Sequence, residues 1–156
     1  MMGYKILNEF NPNMFDSVNR LAKKSNCLSR KVGCIIVDRE HKPLATGYNE
    51  KVYGQEACIT CKRYQKLSDT RIPSALSHEI CLAVHAEQMA ICDAAVSSKS
   101  IKGGIMYVST EPCIVCAKLI IASKMHAVYY LERYDGKGSK LLEDAGILVK
   151  QVMLKG

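Results

Sequence analysis

Apolar positions along this chain change their spacing from segment to segment. Over residues 13–24, NMFDSVNRLAKK, the residues Phe15, Val18, Leu21 and Ala22 recur at helical spacing and predict an opening helix. KVGCIIVD (31–38) and PLATGYN (43–49) read as strands, and the polar turn from Arg39 to Lys42 joins them into a hairpin. From residue 85 the two periods alternate: helix 85–98, strand 104–109, helix 112–123, strand 126–131, a short helix 138–145 and strand 147–154. Strands separated by helices call for βαβ crossovers and a parallel sheet. The expectation is an α/β fold, a three-layer α/β/α sandwich. Its mixed five-stranded sheet has the N-terminal hairpin at one side and the remaining strands parallel through βαβ crossovers. No repeat, low-complexity tract or linker interrupts the pattern, so residues 1–156 read as a single domain.

Residues 50–80 break the pattern. They show no clear period and hold Gly54, Pro73 and the pair Cys58/Cys61. So long a structureless segment in a small domain is uncommon, and is either functional or tied down. A metal is the obvious tie.

Composition narrows the classes. Apolar residues make up 48%, which fits a globular chain. No apolar run is long enough to span a bilayer. The N-terminal MMGYKILNEFNPNMF lacks a signal core and cleavage site, so a cytoplasmic location is expected. The formal charge of +7 suits an anionic ligand such as a nucleotide, or else a solvated lysine-rich surface. The positive residues are scattered, so a nucleic-acid arm is not expected.

Cysteine changes the picture most. Eight cysteines in a cytosolic protein argue for metal binding or catalysis over disulfides. In TEPCIVCAKLI, Cys113 and Cys116 lie within one helical turn, behind Pro112, which suits a helix start. A helix N-terminus favours the thiolate that zinc needs. In VHAEQMAICDAA, His85 falls at the start of another helix, two positions before Glu87. Both helix starts can open on one edge of an α/β sheet, where sites form. One His and two Cys make three ligands and leave the fourth place to water, the arrangement of a catalytic zinc. Glu87 is then placed to move protons without being a ligand. His-x-Glu alone is a weak signal, and a lone C-x-x-C also suits a structural zinc knuckle or a redox pair. The combined order H-x-E…P-C-x-x-C is the signature of zinc nucleobase deaminases. A purely structural zinc would use four protein ligands and need no neighbouring glutamate.

On CLSRKVGCIIVD, LATGYN, IPSALSHEICLAVHAEQ, GGIMYVSTEPCIVCAKLIIAS and LLEDAGI, the chain resembles the deoxycytidylate (dCMP) deaminase family of the cytidine deaminase-like superfamily. The resemblance runs from about Phe15 to Met153. It implies hydrolytic deamination of dCMP to dUMP in pyrimidine deoxynucleotide metabolism, with zinc-activated water attacking cytosine C4 and Glu87 protonating N3 and shuttling protons. It further implies that Asn49 lies near the sugar hydroxyl and base, and that Ala86 and Ser109 offer backbone groups to the base. Arg30 and Tyr134 become candidates near the 5′-phosphate, against a surface charge or subunit contact for Arg30 and a packed aromatic for Tyr134. The family's GYNG-x-P is here GYNEKV, with Glu50 where a carboxylate would repel phosphate. Its HAE-x-NAI has Met89 in place of asparagine, a residue suited to packing on the sheet.

Some bacterial and phage relatives hold a second, structural zinc near the irregular segment. Four of Cys27, Cys58, Cys61, His78 and Cys81 would make a closed tetrahedral site here. The bland alternative is a cluster of reduced, buried thiols, a reading that suits Cys34 and Cys92 better. A homo-oligomer, usual in the family, is expected. Two other functions compete. TEPC and Met89 lean toward a tRNA adenosine deaminase, but CAK, GYN and the absence of a basic cluster for RNA lean away. An inactive zinc module for nucleotide sensing would not require the intact Glu87.

Overall fold

The computed structural model describes residues 10–63, 78 and 80–155; Pro73 and the IPSALS part (72–77) of the family-like segment lie outside the described residues. The elements run in the order α1 (Met14–Ala22), β1 (Gly33–Val37), β2 (Pro43–Tyr48), β3 (Glu50–Lys51), β4 (Ala83–Val84), α2 (Ala86–Val96), β5 (Ile105–Thr110), α3 (Ile114–Ala122), β6 (Ala127–Glu132), α4 (Lys137–Asp144) and β7 (Leu148–Gln151). The main sheet has five strands in the order β2-β1-β5-β6-β7. β1 pairs antiparallel with β2 and with β5, whereas β5, β6 and β7 run parallel. The expected mixed sheet, hairpin and crossovers are all present.

Alternation along the central strands builds two cores. Ile35, Val37, Ile105, Tyr107, Ala127 and Tyr129 face α1, where they meet Phe15 and Val18. Cys34, Ile36, Met106, Val108, Val128 and Tyr130 face the opposite side, against residues of α2, α3 and α4. Helices on both faces make the sandwich three layers, and they explain why every residue of β1 and β5 is buried.

α2 sits unusually close to the sheet. Its buried Ala86, Ala90 and Ala94 recur every four residues and present a narrow, small-residue face. They meet β2 at Gly47, where a Cβ would lie 2.3 Å from the Ala86 carbonyl oxygen and 2.5 Å from the Ala90 nitrogen. Any side chain at 47 would push the start of α2, and with it His85 and Glu87, off the sheet. Met89 packs on the same glycine, its Cβ 2.9 Å from that position.

Boundaries differ from the sequence expectation by at most three residues. The largest difference is a last strand that ends at Gln151 instead of 154, and the helix expected from 112 starts at Ile114. Cys113 is the N-cap of α3, so Pro112 precedes the cap and does not form part of the first turn. One small pairing lies beyond sequence reading: Glu50 opposes Val84 and Lys51 opposes Ala83. Two-residue strands carry no period to detect. Their pairing draws the two ends of the irregular segment together beside α2.

Cys92 corrects an expectation. It is exposed, because the sheet-facing positions of α2 are those of the alanines. Cys34, on a central strand, is fully buried as expected.

Candidate active site

His85 and Cys113 are the N-caps of α2 and α3. The start of α2 is fastened by Gln88, whose side-chain oxygen accepts the His85 backbone N–H at 2.9 Å. This is the return half of a capping box, and the H-A-E-Q order was its signal in the sequence. Cys113 follows β5 directly, since only Glu111 and Pro112 separate it from Thr110. Both helix starts therefore open at the same edge of the sheet.

There the His85 Nδ1 lies 3.5 Å from Cys113 Sγ and 3.4 Å from Cys116 Sγ. All three donor atoms fall within 4.8 Å of one another, the one such group among the described residues. A tetrahedral zinc with ordinary bonds to sulfur and nitrogen would set the S···N edge at about 3.5 Å. The donor set and its spacing fit zinc, with three protein ligands and one position left over.

The electrostatics are those of a site built for a cation. Cys113 is drawn down to about 3, first by the hydrogen bond from Cys116 and, against burial, by His85. Cys116 is pushed up by that same hydrogen bond and by burial. Without a metal, the two sulfurs thus share one proton, and ligation would release it. His85 is raised by its hydrogen bond with Cys113, against burial. Glu87, 5% exposed, is pushed up to about 7, chiefly by burial, with His85 pulling the other way.

One cavity of about 90 Å³ joins these groups to the candidate ligand contacts: its lining includes Arg30, Asn49, Ala86, Glu87, Cys113 and Tyr134. Arg30 and Tyr134 meet there, the guanidinium carbon 5.6 Å from the ring centroid. Asn49 is committed to the chain that carries Arg30. Its Nδ2 donates to the Arg30 carbonyl at 2.7 Å and its Oδ1 accepts the Val32 N–H at 2.8 Å. Ser109 is not brought to the lining; its hydroxyl accepts the Gly33 N–H at 3.1 Å, and Thr110 and Glu111 line the cavity in its place. Glu50 lies outside this cavity and lines a neighbouring one.

Sequence reasoning missed Glu111. It is 2% exposed, and its Oε2 accepts the N–H groups of Tyr134 at 2.8 Å and Gly136 at 3.2 Å. Its pKa is lowered: burial pushes it up, but the Ser139 hydroxyl, the two backbone N–H groups and Arg133 outweigh burial. The signal available was an acidic residue immediately before Pro-Cys, on an otherwise apolar strand end.

The five candidates for a second metal form no ligand group among the described residues. Cys27, Cys58, Cys61 and Cys81 all line the neighbouring cavity, of about 300 Å³. Cys27 Sγ also accepts the Arg30 N–H at 3.5 Å. His78 does not line that cavity; its ring lies 5.1 Å from that of His85.

Fold and site together define a class: an α/β domain with one histidine and two cysteines grouped as metal ligands would be, beside a buried carboxylate. The sequence profile of the cytidine and deoxycytidylate deaminase zinc-binding region matches residues 9–132. The chain belongs to this zinc-dependent deaminase family. Deoxycytidylate deaminase of Saccharomyces cerevisiae is 34% identical over 134 residues, 83% of this chain and 40% of that protein. That of Mycobacterium phage D29 is 36% identical over 115 residues, 70% of this chain and 84% of that protein. The chain spans 40% to 46% of the length of the two yeast relatives it matches, those of S. cerevisiae and Schizosaccharomyces pombe. The crystal structure of dCMP deaminase from the cyanophage S-TIM5 with dCMP and dUMP is similar at a TM-score of 0.71, with 27% identity over 92% of this chain and 99% of that one. No helix among the described residues is long and apolar enough to cross a membrane.

Proposed function

We propose that this chain is a zinc-dependent hydrolase that deaminates dCMP to dUMP, with residues 1–156 acting as one deaminase domain. The observation that carries the reading is the meeting of the His85, Cys113 and Cys116 donors within 4.8 Å, beside a cavity lined by His85, Cys113 and Glu87. The relatives named deoxycytidylate deaminase and the phage structure with dCMP and dUMP support the choice of substrate.

His85, Cys113 and Cys116 would hold the zinc, which when bound activates water for attack on an electrophilic carbon. Glu87 does the proton work. Its carboxyl, pushed up to about 7, can both take a proton and return one near neutral pH. It would deliver protons to the ring nitrogen N3 and to the departing amino group. The Ala86 backbone, at the cavity wall, is placed to meet the base edge. Asn49 holds the Arg30 segment, and Arg30 with Tyr134 forms the wall suited to the phosphate.

Cys27, Cys58, Cys61 and Cys81 would hold a second, structural zinc once their sulfurs draw together across the cavity they share. A homo-oligomer is part of the reading. α3 exposes Ile114, Val115 and Leu119, a face that a second copy would cover. All eight cysteines are free, which suits a reducing, cytoplasmic setting.

The test is ammonia release by zinc-loaded protein given dCMP, CMP, deoxycytidine or an adenosine-containing tRNA stem-loop. Turnover confined to dCMP is expected. Turnover of nucleosides or RNA without dCMP would overturn the substrate assignment and leave a zinc deaminase of another specificity.

A further inference from the structure

The irregular segment reaches into the active-site cavity through Arg63. This residue follows the Cys58/Cys61 pair, and it lines both the cysteine-walled cavity and the cavity over His85 and Glu87. Its Nε is buried and has no hydrogen-bond partner among the described residues. A buried guanidinium N–H left unpaired is costly, so such a group marks a place where an acceptor is expected.

Several other polar groups of the cavity are already engaged, although Glu111 Oε1 is also buried without a hydrogen-bond partner among the described residues. Arg30 lies over the Tyr134 ring. The Asn49 amide is bound to the backbone at Arg30 and Val32. Glu111 Oε2 is bound to the backbone at Tyr134 and Gly136. Arg63 thus stands out as a cation of the cavity lining whose Nε–H has no partner among the described residues. A guanidinium offers donors in a fixed fork that matches phosphate oxygens.

We propose that Arg63 is a specificity-determining residue that selects nucleoside monophosphates over nucleosides, by donating its Nε–H and a terminal N–H to the 5′-phosphate. The proposal rests on the deaminase reading for the identity of the base. It would give the cysteine-rich segment a second purpose, since tying down Cys58 and Cys61 would also fix the arginine two positions after Cys61. It also accounts for Glu50, which lines only the neighbouring cavity and leaves the phosphate position to Arg30 and Arg63.

The experiment measures equilibrium binding of dUMP and of deoxyuridine to the zinc-loaded full chain, by calorimetry, for the wild type, Arg63→Ala and Arg63→Lys. Zinc content and thermal melts are recorded for each. The ratio of the two affinities is the readout. It is expected to fall about 10- to 100-fold in Arg63→Ala, the usual loss for a hydrogen bond to a charged group. Arg63→Lys, which keeps the charge without the fork, is expected to recover part of the ratio. An unchanged ratio in Arg63→Ala, or equal losses for both ligands, overturns the proposal. So does a wild type that binds dUMP no more tightly than deoxyuridine. Binding is independent of turnover: a wild type that favours dUMP yet does not deaminate dCMP would sink the proposed function, while the Arg63→Ala ratio still decides the role of Arg63.

Discussion

Glu111 Oε2 accepts the backbone N–H of Tyr134 at 2.8 Å and so ties the strand end before Cys113 to the loop that walls the cavity. The first turn of α4, just beyond that loop, closes on the metal motif a second time at Gly138. A Cβ there would lie 1.8 Å from the Pro112 carbonyl oxygen. The metal ligand and the aromatic wall are therefore held as one unit. Tyr134 in turn meets Arg30, whose segment is fastened by Asn49.

Removing the tie should separate stability from zinc binding. Glu111→Ala leaves two backbone N–H groups without their acceptor, at a cost of about 1–3 kcal/mol. KM for the nucleotide should rise severalfold as Tyr134 loses its placement, while zinc content stays at wild-type level. Glu111→Gln retains an acceptor oxygen and should lose less. Chemical denaturation, metal analysis and steady-state kinetics check this, and an Ala variant with unchanged stability and KM would show the tie to be idle.

Glu87→Gln isolates the proton shuttle. The amide is nearly the same size, so the buried site keeps its shape and its zinc. Turnover should fall by roughly 10²- to 10⁴-fold or more, the range for a lost general acid–base group. A variant with zinc retained and turnover near wild type would remove Glu87 from the mechanism. A wild type that binds nucleotide without turning it over would favour the sensing module.

The first site was legible because its signal is short-range. Cys113 and Cys116 are three apart on a helix start, and His85 and Glu87 are two apart on another. The strand–helix alternation predicted that both starts share a sheet edge. The sheet itself followed from alternating apolar runs. Contacts that pair distant residues through the backbone were not legible. Glu111 and Tyr134 are 23 positions apart, and the bond uses a backbone N–H that every non-proline residue offers. Asn49 was placed at the ligand by resemblance, while its amide serves the backbone of Arg30 and Val32, which nothing in GYN announces. Arg63 lies in a segment without period, so its direction emerged only from the fold.

Metal stoichiometry tests the cysteine-walled cavity. Protein prepared with zinc should carry two ions per chain. Cys58→Ser with Cys61→Ser should carry one and melt at lower temperature, since a structural zinc contributes directly to folding. Cys113→Ser should also reduce the count while leaving the other ion in place. One zinc per chain in the wild type would assign the four cysteines to reduced thiols.

Tyr107 predicts how stability depends on alkaline pH. The residue lies fully buried at the centre of β5, stacked on Tyr129 at 5.3 Å and edge-on to Phe15 at 5.5 Å. Its hydroxyl accepts the Asn11 N–H at 2.9 Å. Its pKa is pushed up to about 12, mainly by burial, with the Asn11 N–H opposing. In the unfolded chain the phenol should titrate near its ordinary value of about 10. A raised folded value means the native state holds its proton longer. The contribution is fully present below about pH 10 and is lost as pH rises toward about 12, at close to 1.4 kcal/mol per pH unit. Tyr107→Phe should cost about 1 kcal/mol at neutral pH, because the Asn11 N–H loses its acceptor. Above pH 10 the variant's stability should fall less steeply, so the two curves converge. Urea unfolding of both proteins from pH 7 to 11.5 measures the difference directly. Parallel curves across that range would mean that the Tyr107 hydroxyl titrates alike in the folded and unfolded chains.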